Sequence, residues 1–172
     1  SAGMDKRQTL KWQTLPRLWL VSDARNDAVL ETALRRLPRE SGFFFRHYHL
    51  TPEERRRRFS RLSRIARGQG HVVVLAGPAI QAKAWKADGR YSGAGGRRAA
   101  GALHLATAHT LAELGAAQSR GADAVLLSPV FPTRSHAGRA ALGPLRFRLL
   151  AARARVPVVA LGGLDRRAAN RL

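Results

Sequence analysis

Two apolar runs near the end of the chain constrain its fold more than any other feature. The first covers residues 121–133 (GADAVLLSPVFPT) and the second covers residues 156–164 (VPVVALGGL). Each is a nearly continuous stretch of Val, Leu and Ala that ends in small or hydroxyl residues, as in parallel strands that helices cover on both faces. Parallel neighbours need a long crossover connection, usually a helix. The two runs therefore predict an α/β fold with a parallel sheet.

The rest of the chain alternates between strand-like and helix-like segments in the same way. We expect strands at residues 18–21, 42–48, 72–76, 89–92, 102–107, 124–128 and 157–161. We expect helices at residues 26–37, 51–68, 78–87, 111–120, 144–154 and 165–172.

Local residue patterns predict how two of these helices begin. Asn26 is a candidate N-cap for the first. Thr51, Pro52 and Glu54 form the pattern of a capping box with proline in the first turn. The run Arg55–Arg58 that follows is predicted to be a solvated helix face.

Composition restricts the class of protein. A chain of 172 residues with 45% hydrophobic residues is expected to form one domain with its own core. It contains no cysteine, which excludes disulfides and thiolate metal sites, and no apolar run approaches the roughly 20 residues of a membrane span. We expect a cytoplasmic protein with no membrane partner.

The formal net charge of +20 comes mostly from arginine, since only four of the 31 basic residues are lysines. This bias favours a GC-rich coding background together with an anionic small-molecule substrate. A nucleic-acid surface remains the alternative. The charge predicts salt-sensitive binding to polyanions without sequence specificity.

Residues suited to binding anions follow the two apolar runs. Thr133, Arg134, Ser135 and His136 supply hydroxyls and cations, and the pair Gly162–Gly163 lets backbone N–H groups approach a ligand. Because the carboxyl ends of parallel strands carry the binding loops of α/β barrels, these loops predict a phosphate site.

Three segments in order also carry a family resemblance: residues 107–113 (TAHTLAE), residues 121–133, and residues 157–164 (PVVALGGL). Together with the opening LWLVSD of residues 18–23, they resemble the thiamine-phosphate synthase family, which includes the thiazole tautomerases. The resemblance implies an α/β fold of the (β/α)8 TIM-barrel type. Seven strands are visible, so we expect the last β/α unit to follow Leu172. Residues 1–16 are expected to be a cloning remnant and N-terminal extension, and residues 17–172 a single barrel domain.

Members of this family join a pyrimidine pyrophosphate to a thiazole phosphate and release pyrophosphate. The resemblance implies that the partners are phosphorylated small molecules: pyrophosphate, thiazole phosphate and thiamine phosphate. It implies the following substrate-binding residues: Arg46, Thr107, Thr133, Ser135, His136, Gly162 and Gly163. The family's second strand ends in a Gln-Leu-Arg-Glu-Lys pattern, which corresponds here to residues 44–48 (FFRHY), so Phe44 replaces the glutamine and Arg46 is retained. The sequence assigns no catalytic residue, and His47 is the candidate acid or base.

The sequence departs from the family pattern where the family binds Mg²⁺. The family's Asn-Asp pair after the third strand corresponds to Ala76-Gly77, and its second aspartate falls in residues 91–96 (YSGAGG), which contain no carboxylate. Mg²⁺ prefers carboxylate oxygens, so we expect an impaired metal site. Pro129 stands where the tautomerases carry a histidine, which argues against that branch.

Three functions stay open at this point. The first is a synthase forming thiamine phosphate, with weak or absent Mg²⁺-dependent activity. The second is a non-catalytic barrel that binds phosphate or a thiamine intermediate, or that has a regulatory role. The third is a basic protein associated with nucleic acid, without sequence specificity.

Overall fold

The computed structural model describes residues 15–99, 101–132, 140–163 and 165–172. Its strands are β1 Trp19–Val21, β2 Gly42–Phe45, β3 Val72–Ala76, β4 Gly89–Ser92, β5 Leu103–Ala108, β6 Ala124–Leu127 and β7 Val158–Ala160. Its α-helices are α1 Leu30–Arg36, α2 Pro52–Gly68, α3 Ala79–Ala84, α4 Leu111–Ser119, α5 Gly143–Ala151 and α6 Arg166–Ala169. The predicted alternation of parallel strands and helices is confirmed, and strand boundaries differ from the prediction by a few residues.

The contacts of the chain divide it into two compact units. The N-terminal unit comprises the described residues up to Tyr91 together with residues 101–103, and the C-terminal unit comprises Ser92–Ala99 and His104–Leu172.

In the N-terminal unit, β1 to β4 pair in parallel and in chain order. Side chains alternate between the two faces of the strands. Phe43 and Phe45 therefore point toward the helices, where they share a core with Leu34, Phe59 and Leu62. The capping box of Thr51 and Glu54 is present, which confirms the predicted start of α2.

In the C-terminal unit, β5, β6 and β7 also pair in parallel. Its core is made of smaller side chains than the first, with Ala106, Ala108, Val125 and Leu127 from the strands meeting Leu114 of α4. Thr110 caps α4 by accepting a hydrogen bond from the backbone N–H of Glu113. The peptide bond between Ser128 and Pro129 is cis.

Two local predictions are wrong. Asn26 does not cap an α-helix, because residues Asp27–Val29 form a 3₁₀ turn and α1 starts at Leu30. The Asn26 side chain instead accepts from the Asp23 N–H and donates to the Val21 carbonyl. Arg55, in the run predicted to be solvated, is only 8% exposed.

No helix among the described residues is long and apolar enough to cross a membrane.

Candidate functional site

A buried hydrogen-bond chain joins the ends of β1 and β2 in the N-terminal unit. Ser22 follows β1 and is fully buried, and His47 lies just after β2 and is 1% exposed. The Ser22 Oγ lies 2.8 Å from His47 Nδ1, and His47 Nε2 lies 2.6 Å from Asp27 Oδ1. Asp27 also accepts from Arg58 of α2 at 2.8 Å.

The Asp27 carboxylate fixes the tautomer of His47. An ionised carboxylate only accepts, so a neutral imidazole carries its proton on Nε2 and donates it to Asp27. His47 Nδ1 then accepts from the Ser22 hydroxyl, whose oxygen also accepts the backbone N–H of Arg46 at 2.9 Å. His47 is thereby a link between strand ends with both ring nitrogens engaged, and its backbone φ of 44° is in the left-handed region.

Burial and charge shift the pKa values of His47 and Asp27 in the directions that stabilise the hydrogen bond between them. Burial lowers the pKa of His47, although the hydrogen bond to Asp27 opposes the shift. Burial alone would raise the pKa of Asp27, but hydrogen bonds from His47 and Arg58 outweigh it and leave that pKa below its usual value. The neutral imidazole and the ionised carboxylate are therefore the favoured states.

Arg55 ties the end of β2 to the end of β3. Its Nε donates to the carbonyl of Arg46 at 2.9 Å, and its two terminal nitrogens donate to Ala76 O at 2.6 Å and Gln81 Oε1 at 3.0 Å. Burial lowers the pKa of this guanidinium. Its ring contacts with Phe45, Tyr48 and Trp85 place a cation among aromatic faces.

Arg46 is thus held through its backbone from both sides, by the Ser22 hydroxyl and by Arg55. Its side chain is half-buried and lies 5.7 Å from the centroid of the Tyr48 ring. The Arg46 Nε is buried and has no hydrogen-bond partner in the described part of the chain. A buried guanidinium N–H without an acceptor is costly, and an anionic ligand would satisfy it.

The residues that the resemblance aligns with the family's metal ligands carry no carboxylate. Ala76 and Gly77 offer no side-chain oxygen, and the Ala76 carbonyl already accepts from the Arg55 guanidinium. Residues 91–96 contain no carboxylate. Among the residues that the structure describes, no cluster of three or more His, Asp or Glu side chains could hold a metal.

The strand face opposite the helices is aromatic in this unit. Phe44 stands where the resembled family has a glutamine, and its ring stacks on Trp19 at 4.4 Å and lies 5.8 Å from Tyr91. Gly42 makes this possible, because a Cβ there would lie 2.0 Å from the Trp19 ring. The inner face is therefore filled with rings where a polar side chain was the family pattern.

In the C-terminal unit, the loops after β6 and β7 lie against each other. Gly162 and Gly163 have φ angles of 98° and 63°, which favour glycine. The Gly162 carbonyl accepts the N–H of Phe131, and a Cβ on Gly163 would lie 2.6 Å from Pro132 O. These two glycines are thus required by the close approach to residues 129–132.

Thr107 lies near the end of β5 and is half-buried. Its neighbours Ala106 and Ala108 pack toward the helices, so the Thr107 side chain is on the opposite face. His109 contacts the Ser128 carbonyl through Nδ1, and its backbone N–H donates to the Glu113 carboxylate. The predicted ligand residues Thr133, Ser135 and His136 lie outside the described residues.

Ser22, Asp27, Arg55 and Arg58 were missed by the sequence reasoning. For Arg55 the signal was present, because positions 55, 59, 62 and 66 share one helix face, and the three others are apolar. For Ser22 the only signal was its place after a strand. Asp27 and Arg58 are far apart in sequence, and no pattern links them.

These features define a class of protein, a parallel α/β protein with binding groups at its strand ends. The N-terminal unit carries a buried guanidinium and a loop held by a serine hydroxyl. The C-terminal unit carries a glycine-rich turn. The sequence model of the family described as thiamine monophosphate synthase matches residues 18–172. The chain belongs to that family.

The structure is similar to solved structures with low sequence identity. Thiamine phosphate pyrophosphorylase from Pyrococcus furiosus is similar with a TM-score of 0.77 at 22% identity, over 91% of this chain and 79% of that one. The citrate synthase SbnG is similar with a TM-score of 0.61 at 9% identity, over 94% of this chain and 84% of that one. A comparison with curated proteins found no match. At these identities the likeness shows the fold alone.

Proposed function

We propose that this protein binds the phosphorylated intermediates of thiamine synthesis and that it forms thiamine phosphate weakly or not at all. The family membership supports the substrate class, and the departures at the metal positions support the loss of turnover. We also propose a (β/α)8-type barrel, a single domain for residues 17–172 and a cytoplasmic location, as expected from the sequence.

The orphaned Nε of Arg46 is the observation that carries the binding proposal. A guanidinium donates to a phosphate through two parallel N–H groups. Arg46 is the residue of the family's second-strand pattern that this chain retains, and its backbone is fixed by Ser22 and Arg55. A pyrophosphate oxygen at Arg46 would supply the missing acceptor.

The surroundings of Ala76 and Gly77 support weak or absent metal-dependent catalysis. Developing charge on a leaving pyrophosphate must be stabilised by cations or N–H groups. Here the cation nearest the end of β3 is Arg55, which already serves three acceptors. Binding without efficient transfer is the expected outcome.

A non-catalytic binding protein is the second candidate, and the aromatic inner face favours it. Phe44 packed against Trp19 removes a polar side chain from the face where the family pattern has one. The third candidate, a protein associated with nucleic acid, is supported by the net charge alone.

An activity assay tests the proposed loss of turnover. Both phosphorylated intermediates are incubated with the purified chain, with Mg²⁺ and with a chelator. We expect little or no thiamine phosphate in either condition. Turnover equal to that of a family member with intact carboxylates, abolished by the chelator, would contradict the proposed loss.

Pyrophosphate binding is measured separately by thermal shift, because a ligand that binds only the folded state raises its melting temperature. We expect stabilisation of the unmodified chain at low salt and a smaller effect in Arg46→Gln. Arg35→Gln, at an exposed position in α1, removes the same charge and should retain the effect. Equal losses in both variants would reduce the site to general charge attraction.

The other residues predicted to bind the substrate are also part of this proposal. Thr107, Gly162, Gly163 and His136 are proposed to bind phosphate groups. Thr133→Ala combined with Ser135→Ala is expected to reduce the stabilisation by pyrophosphate, and no change would remove that loop from the site.

A further inference from the structure

A groove of about 430 Å³ lies between α2 and the residues that end α3, entirely within the N-terminal unit. The lining residues that matter here are Arg56, Ser60, Arg64, Arg67, Trp85 and Lys86. None of them belongs to the hydrogen-bond chain at the strand ends. Its volume is within the range of about 300–1,000 Å³ that is usual for small-molecule sites.

Helix geometry brings the polar side of the groove together. Arg56, Ser60, Arg64 and Arg67 are spaced four, four and three residues apart, which places them on one face of α2. All four are exposed. Lys86 is added from the other side, because the Arg67 guanidinium donates to the Lys86 backbone carbonyl.

No carboxylate balances this charge. The acidic groups that pair with α2 are Asp27 and Glu31, and they contact Arg58 and Arg61, on another part of the helix. Within the described residues, no acidic side chain lines the groove and none of its four cations forms an ion pair. Four like charges around one groove repel each other, and an anion with several charges would remove that repulsion.

The groove also presents an aromatic ring. Trp85 is half-buried, with its ring centroid 5.3 Å from that of Phe59 and the Arg55 guanidinium 5.4 Å from its centroid. These contacts hold the indole in position beside the cations. An indole is a good surface for stacking a flat heteroaromatic ring.

We propose that this groove binds a free nucleotide, with its phosphates at Arg56, Arg64, Arg67 and Lys86 and its base against Trp85. Phosphate alone would use the cations and leave the indole idle, and an uncharged aromatic compound would use only the indole. A nucleotide uses both. The Ser60 hydroxyl adds a donor for the ribose or a phosphate oxygen.

The proposal is tested by calorimetric titration of the full chain at physiological salt with ATP, inorganic triphosphate and adenosine. ATP is expected to bind tightest. Arg64→Gln with Arg67→Gln should weaken ATP by about a hundredfold, as each lost charge-assisted contact is worth about tenfold. Trp85→Leu should weaken ATP and leave inorganic triphosphate unchanged.

A control pair isolates the groove. Arg36→Gln with Arg57→Gln removes the same charge from exposed positions outside it and should leave ATP affinity unchanged. Because the arginines that are changed are exposed, these variants are expected to fold.

Several outcomes would overturn the proposal. One is the absence of saturable ATP binding. Another is equal weakening by the control pair, which would mean general charge attraction. A third is single-stranded DNA that displaces ATP at equal nucleotide concentration and depends on the same arginines, which would make the groove a polyanion surface.

Discussion

The N-terminal and C-terminal units finish their strands in different ways. In the first, long side chains fill the strand ends: Arg55 and His47 link neighbouring strands through buried hydrogen bonds. In the second, small residues do so, and Gly162 and Gly163 let one loop lie against the next. The same strand–helix plan therefore tolerates a side-chain network or a close backbone approach at its strand ends. The sequence motifs that identify the family lie mostly in the C-terminal unit.

The largest expected effect tests the side-chain network of the N-terminal unit. Arg55→Leu leaves the carbonyls of Arg46 and Ala76 and the Gln81 amide without their donor. The free energy of unfolding should fall by about 3 kcal/mol, since buried groups that lose their partners cost about 1–3 kcal/mol each. Urea denaturation measures this. Arg57→Leu, at an exposed position on the same helix, is the control, and similar losses in both would mean that the buried link stabilises little.

The next largest effect tests the close backbone approach in the C-terminal unit. Gly163→Ala introduces a Cβ 2.6 Å from Pro132 O at a backbone φ of 63°. We expect a loss of about 1–2 kcal/mol, the cost of left-handed backbone for a residue with a side chain. Gly115→Ala is the matched change in α4, where a Cβ meets no atom within 4 Å, and it should stabilise by about 0.5–1 kcal/mol. If both variants behave alike in thermal denaturation, the loop contact is not selective for glycine.

The sequence predicted the elements of both units because hydrophobic periodicity and turn residues are local signals. The capping box at Thr51 and the apolar runs of β5, β6 and β7 are examples. The side-chain links of the N-terminal unit were not predictable in the same way, because His47 and Asp27 are 20 residues apart and Arg58 is 31 residues from Asp27. Which cation of a basic run is buried depends on the face it occupies.

The candidate site was predictable to a different extent in each unit. Arg46 was selected by its family pattern, but the hydrogen bonds that hold its backbone come from Ser22 and Arg55, and no local pattern links those residues to it. In the second unit, Gly162 and Gly163 were selected as phosphate-binding glycines. The structure shows that the close packing of the two loops also requires these glycines, which the sequence pattern alone did not indicate.

The smallest effect concerns pH and the His47 link. The folded-state pKa of His47 is lowered from 6.5 by burial. Below pH 6.5 the unfolded chain takes up a proton that the folded chain does not, so the free energy of unfolding should fall as pH drops from there toward the folded-state pKa. Above pH 6.5 this contribution is complete. Urea denaturation at a series of pH values measures the slope.

His47→Asn should flatten that slope and cost about 1 kcal/mol at pH 8 through altered hydrogen bonds. Asparagine tolerates the positive φ at this position. His49→Asn, at an exposed neighbouring position, is the control for removing a histidine. An unchanged slope in His47→Asn would show that other groups determine the pH dependence.

The three hydrogen bonds of Arg55 also limit the evolutionary paths open to this chain. A single step from Gly77 to aspartate would place a Cβ 2.9 Å from the Gln81 side-chain oxygen, which Arg55 already contacts. The new carboxylate would pair with the resident guanidinium before it could serve a divalent ion. A metal site at this strand end would therefore require Arg55 to be replaced as well, and that replacement removes the tie between two strands. The substitutions must therefore occur in a particular order, with new support for the strand ends gained before the old cation is lost.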